Sequence, residues 1–108
     1  MGTAQASDYL ENKIVDHIFR SGSFTKPTGL YIALFTAAPS DAAGGTEVTG
    51  GSYARVNLAP LDTNGKATQG GTSGNSSGTG GVTSNAVAIT FPAPTANWGT
   101  VTHFGIFD

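Results

Sequence analysis

The residues best suited to hold a metal or move a proton are two histidines, His17 and His103, and seven carboxylates spread along the chain. Neither histidine belongs to a His-x-x-Glu-His pattern or sits beside a local group of acids, so the spacing offers no metal site. Serines are plentiful. No Gly-x-Ser-x-Gly elbow presents one as a nucleophile, and a Ser-His-Asp triad finds no support in the pattern. The glycine-rich stretches lack the lysine and following Ser or Thr of a phosphate loop, and they lie between β segments rather than opening a helix. With zero cysteines, thiolate catalysis, cysteine ligation and disulfides all fall away. The expectation is a non-enzyme with no catalytic, cofactor-binding or metal-ligating residue, whose folding and assembly do not depend on metal.

Binding chemistry is more plausible than catalysis. Tyr31, Tyr53 and Trp98 could make an aromatic platform for a sugar, but Tyr31 falls in the most apolar segment and Trp98 follows a proline-rich corner. Core packing explains them better. Tyr53 and Trp98 are retained as the candidate glycan contact. Glu47 and Arg55 flank a Gly-Gly pair in a hairpin-like pattern, where opposite charges across two strands form an ion pair worth about 0 to 1 kcal/mol.

The segment that must position these residues is Gly29 to Thr36. Leu30, Ile32 and Leu34 alternate with Tyr31, Ala33 and Phe35, giving a strand apolar on both faces that needs cover on both. Before it, Ser7 or Asp8 caps a helix with Glu11 placed as in a capping box. Leu10, Ile14 and Ile18, joined by Val15 and Phe19, form an apolar stripe opposite Asn12, Lys13, Asp16 and Arg20. The helix spans about 7–20, and Gly22 is read as its left-handed cap. After the central strand, Thr46-Glu47-Val48 and Tyr53 to Leu58 read as a hairpin closed at Gly50-Gly51, with Ala54, Val56 and Leu58 turned to the core. Asn64-Gly65 suits a tight turn. Gln69 to Gly81 contains no large apolar side chain and reads as a mobile loop, first to be nicked by a protease and tolerant of deletion. Its Asn75-Ser76-Ser77 sequon is read as chance composition. Asn85 to Phe91 alternates as a strand stopped by Pro92, and Val101 to Phe107 forms a last strand rich in β-branched and aromatic residues.

These elements predict an α+β, mostly β fold: one amino-terminal amphipathic helix with an antiparallel β-sandwich over about 28–108, in a single domain over 1–108. The net charge of -2 and five scattered basic residues give no patch for nucleic acid. No apolar run is long enough to span a bilayer, and no leader pattern opens the chain. Synthesis in the cytoplasm without membrane insertion is expected.

Several segments together carry a resemblance: Asp8 to Asn12 with the His-Ile-Phe-Arg helix end, Leu30 to Pro39, Gly44 to Arg55 with its Tyr-Ala-Arg, and Trp98 to Asp108. They resemble the small tail-fibre-like structural proteins of tailed bacteriophages and prophages. The resemblance implies a non-enzymatic virion component made in the bacterial host cytoplasm, with other virion proteins as partners; the alternative from another class is a carbohydrate-binding module whose exposed aromatics grip a host surface glycan. Head decoration is the alternative placement. This chain departs from its relatives in a longer insertion around Gly70 to Gly81 and in stopping where relatives continue. An edge left open at the last strand would then be completed by another subunit. The expectation is a homo-oligomer, with a trimer favoured because fibres are often threefold. Leu10, Ile14 and Ile18 on the helix, with Phe104, Ile106 and Phe107 on the last strand, are the expected assembly residues.

Overall fold

A computed structural model describes residues 5–25, 27–42, 44–57 and 88–108. Helix α1 covers Asp8–Phe19. The Ser7 side chain accepts a hydrogen bond from the Leu10 backbone N–H at 3.3 Å, and Asp8 and Glu11 lie in the first turn where the helix dipole favours acids. At the other end, Arg20 is extended (φ -127°) and its N–H reaches the Asp16 carbonyl at 3.2 Å. The helix therefore stops without a left-handed residue. Gly22 is not its cap, because the chain is already extended at Arg20.

Strands β1 (Tyr31–Ala37), β2 (Thr46–Glu47), β3 (Val56–Asn57) and β4 (His103–Phe107) form one open antiparallel sheet. Every strand pairs with β1. β4 lies along it in continuous register from Tyr31↔Phe107 to Phe35↔His103. On the other edge, Ala37↔Thr46 and Phe35↔Glu47 set β2, and Ile32↔Val56 and Tyr31↔Asn57 set β3. β2 and β3 thus do not pair with each other as the two arms of a hairpin. They run one after the other in the same direction along β1, and the chain between them leaves the sheet and returns.

Where the excursion leaves, the Val48 N–H still bonds to the Leu34 carbonyl at 3.0 Å, and Val48 is 3% exposed. Ile32, Ala33 and Phe35 are buried with it, so the core is centred on β1 as its two-sided apolar pattern requires. Phe35 and Phe107 stack at 6.0 Å over Gly105, where a Cβ would come within 2.8 Å of the Phe107 ring. A side chain there would separate the two rings.

The described residues contain a single sheet and no second sheet packed on it, so the fold is α+β with an open sheet. Of the expected strand at Asn85 to Phe91, the part from Ala88 onward is irregular. Backbone in that stretch has no ladder partner, and Phe91 serves instead as a ring contact. Leu58, the Asn64-Gly65 turn, the sequon and the 69–81 loop lie outside the described residues.

Candidate functional site

The excursion between β2 and β3 builds the most organised side-chain cluster in the described structure. It turns back at Gly51-Ser52, where the Tyr53 N–H bonds to the Gly50 carbonyl at 2.9 Å. Gly51 (φ 56°) and Ser52 (φ 64°) are both left-handed, as a tight turn of the type I′ family demands. The turn is one residue beyond the Gly-Gly pair. The Gly51 carbonyl then accepts from the Trp98 indole N–H at 2.9 Å and the Thr95 N–H at 3.0 Å, and the Ser52 and Thr95 hydroxyls meet at 3.0 Å. Residues 50–53 are thereby tied to 95–98.

Tyr53 carries the excursion back to the sheet. Its hydroxyl accepts the Leu34 N–H at 2.9 Å and donates to the Glu47 Oε1 at 2.9 Å. The partner strand has left β1 at this point, so the phenol takes the place of a backbone carbonyl and satisfies a donor that would otherwise lack a rung. Burial pushes the Tyr53 pKa up, which keeps the hydroxyl protonated and able to donate. Arg55 completes the cluster with two parallel bonds to Glu47, Nε to Oε1 and Nη2 to Oε2, both 2.8 Å. That hydrogen bonding holds the Glu47 carboxyl below its usual range, against the opposing effect of burial, and Tyr53 adds to it. The guanidinium also lies 4.3 Å above the Phe107 ring centre. β2, the excursion and β4 are locked together through one carboxylate and one cation.

The arrangement is a brace, with its polar atoms turned on one another. Of the candidate glycan pair, Tyr53 meets Trp98 edge-on at 5.5 Å and stacks on Phe91 at 6.3 Å, and both are half-buried. Their hydroxyl and indole N–H are already bonded within the chain. Tyr31 stands at the exposed start of β1 and borders a cleft of about 310 Å³ with Pro27, Gly29, Asn57 and Asp108.

The histidines are not brought into a shared site. The His17 Nδ1 accepts the Phe24 N–H at 3.2 Å and thereby folds back the chain after α1, whereas His103 on β4 meets the Thr102 hydroxyl at 2.8 Å. Among the described residues no group of three or more His, Asp or Glu is placed to hold a metal. None of the helices there is long and apolar enough to cross a membrane.

The expected assembly residues divide. Leu10, Ile14 and Ile18 are exposed on α1, and Phe104 and Ile106 are 65% and 58% exposed on β4. Phe107 instead packs against Phe35 under Arg55. Strand alternation explains the difference, since Phe104 and Ile106 point to one face and Phe107 to the other. Sequence reasoning missed Leu34 as a partner of Tyr53, because a side chain bonding a distant backbone group leaves no periodic signal.

The family model for the podophage GP4 fiber I protein gp80 matches residues 5–108, from the residues before the cap of α1 through β4. The chain belongs to this phage fibre family. A structural role in the virion follows from that membership, and the resemblance carried by the Gly44 to Arg55 run falls on the residues that form the brace. No curated protein and no solved structure matches the chain.

Proposed function

We propose that the chain is a repeated building block of a phage fibre, assembling with copies of itself and with neighbouring virion proteins, and carrying out no catalysis. The observation that carries the reading, beside family membership, is apolar surface left open: Ile14 is 44% exposed, Ile18 63%, Phe104 65% and Ile106 58%. With only Ile32, Ala33, Phe35 and Val48 forming the buried apolar core among the described residues, the chain has reason to bury these side chains against other subunits. The brace suits a part under mechanical load, since it ties β2, the excursion and β4 together.

Two further placements are capsid decoration and a carbohydrate-binding module. The Tyr53 hydroxyl and the Trp98 indole N–H are bonded within the chain and the Tyr53 ring stacks on Phe91, so neither polar atom is left for a sugar. A cryo-EM map of the phage particle tests the proposal: repeated copies along a fibre support it, and copies confined to the head would replace it with decoration. Glycan-array binding abolished by Trp98→Ala would favour the carbohydrate module.

A further inference from the structure

The clearest unpartnered surface is the helix. α1 has twelve residues and none is buried, although an isolated helix of that length is marginal in water. Its start is tied to the rest of the chain by the Asp8 N–H on the Asp41 carbonyl at 3.1 Å, and its end by His17 and Phe24. The stripe of Leu10, Ile14 and Ile18 faces outward.

Charge on either side of that stripe is sorted by sign. With the helical period centred on Ile14, Asp8 and Glu11 fall on one flank and Lys13 and Arg20 on the other, while Asp16 lies toward the back and pairs with Arg20 at 3.5 Å. An antiparallel pair of such helices would set each flank against its own copy, acid to acid and base to base. A parallel arrangement about a common axis sets the acidic flank of one copy against the basic flank of the next. From this complementarity we infer that α1 packs against α1 of other copies in a parallel, cyclically symmetric bundle, with Leu10, Ile14 and Ile18 inside and Glu11 reaching Lys13 of its neighbour.

This inference rests on the homo-oligomer reading above and specifies its contact. The chain has zero cysteines, so a single Leu10→Cys reports on orientation. In a parallel bundle the Leu10 positions of neighbours adjoin, and mild oxidation of the full chain should yield covalent dimers. In an antiparallel pair, position 10 would oppose position 18, and cross-links would form only between Leu10→Cys and Ile18→Cys chains. Charge reversal supplies a second measurement. Glu11→Lys and Lys13→Glu should each raise the concentration of half-assembly on the order of 3- to 10-fold, and the double exchange should restore it, with helicity by circular dichroism kept in all three. An oligomer that yields no Leu10→Cys dimers, or whose charge exchange brings no rescue, overturns the bundle and leaves the building-block reading standing. A monomer overturns both.

Discussion

A single carboxylate, Glu47, holds Arg55 through two bonds and Tyr53 through one, and each of those partners reaches a different part of the sheet. Because its folded-state pKa is lowered, chiefly by Arg55, the stability it confers is present above the ordinary carboxylate range and is lost as pH falls through the lowered value. Melting temperature followed from neutral to acidic pH should therefore drop in the wild type, with a flatter profile and a lower neutral value for Glu47→Gln. Identical profiles would show that the carboxylate stabilises nothing. Tyr53→Phe keeps the ring and removes the hydroxyl, which strands the Leu34 N–H, and should cost about 1–3 kcal/mol in chemical denaturation. Gly51 is more constrained still. Its φ is +56°, and a Cβ would stand 2.8 Å from the Trp98 Nε1 and 2.9 Å from the Ala96 carbonyl oxygen. Gly51→Ala should destabilise by more than about 1 kcal/mol and alter the emission of the chain's one tryptophan, which borders the turn.

Among the elements, β4 offers the sharpest contrast because its neighbouring side chains have opposite fates. Phe107→Ala removes a ring packed between Phe35 and Arg55 and should cost about 2–4 kcal/mol, whereas Phe104→Ala, at an exposed position, should change the stability of the separated subunit by under about 1 kcal/mol. Denaturation below the assembly concentration measures both; equal losses would refute the assigned faces. Helix and central strand were legible in the sequence because each is long enough to repeat its apolar period, Leu10, Ile14, Ile18 for α1 and the two alternating sets of β1, and the last strand through its β-branched and aromatic residues. β2 and β3 fall within the Thr46-Glu47-Val48 and Tyr53 to Leu58 segments that read as strands, but two residues each carry no period that shows what they pair with. The Gly50-Gly51 pair announced a turn, but a local turn signal cannot tell a ladder of paired arms from an excursion whose two ends pair with a third strand. The sequence announces the Glu47–Arg55 pairing, through a hairpin that does not form and as an exposed pair rather than the bidentate one with half-buried Glu47, because an excursion that returns to the same edge of β1 also brings its ends together. Of the brace, the ion pair was readable, and the Tyr53 bond to Leu34 depended on a gap in the ladder that only the folded chain reveals.

At the scale of the molecule, the described residues show a sheet centred on one strand, a helix with no buried residue and two exposed apolar side chains on β4. Family membership supports a structural role in the virion, and the proposed repetition would supply the missing cover. The direct measurement is light scattering of the purified chain at micromolar concentration, joined to its amide NMR spectrum. Self-assembly predicts a mass of several chains that falls on dilution and falls further for Ile14→Asp. A stable, soluble monomer with well-dispersed amide signals would contradict it.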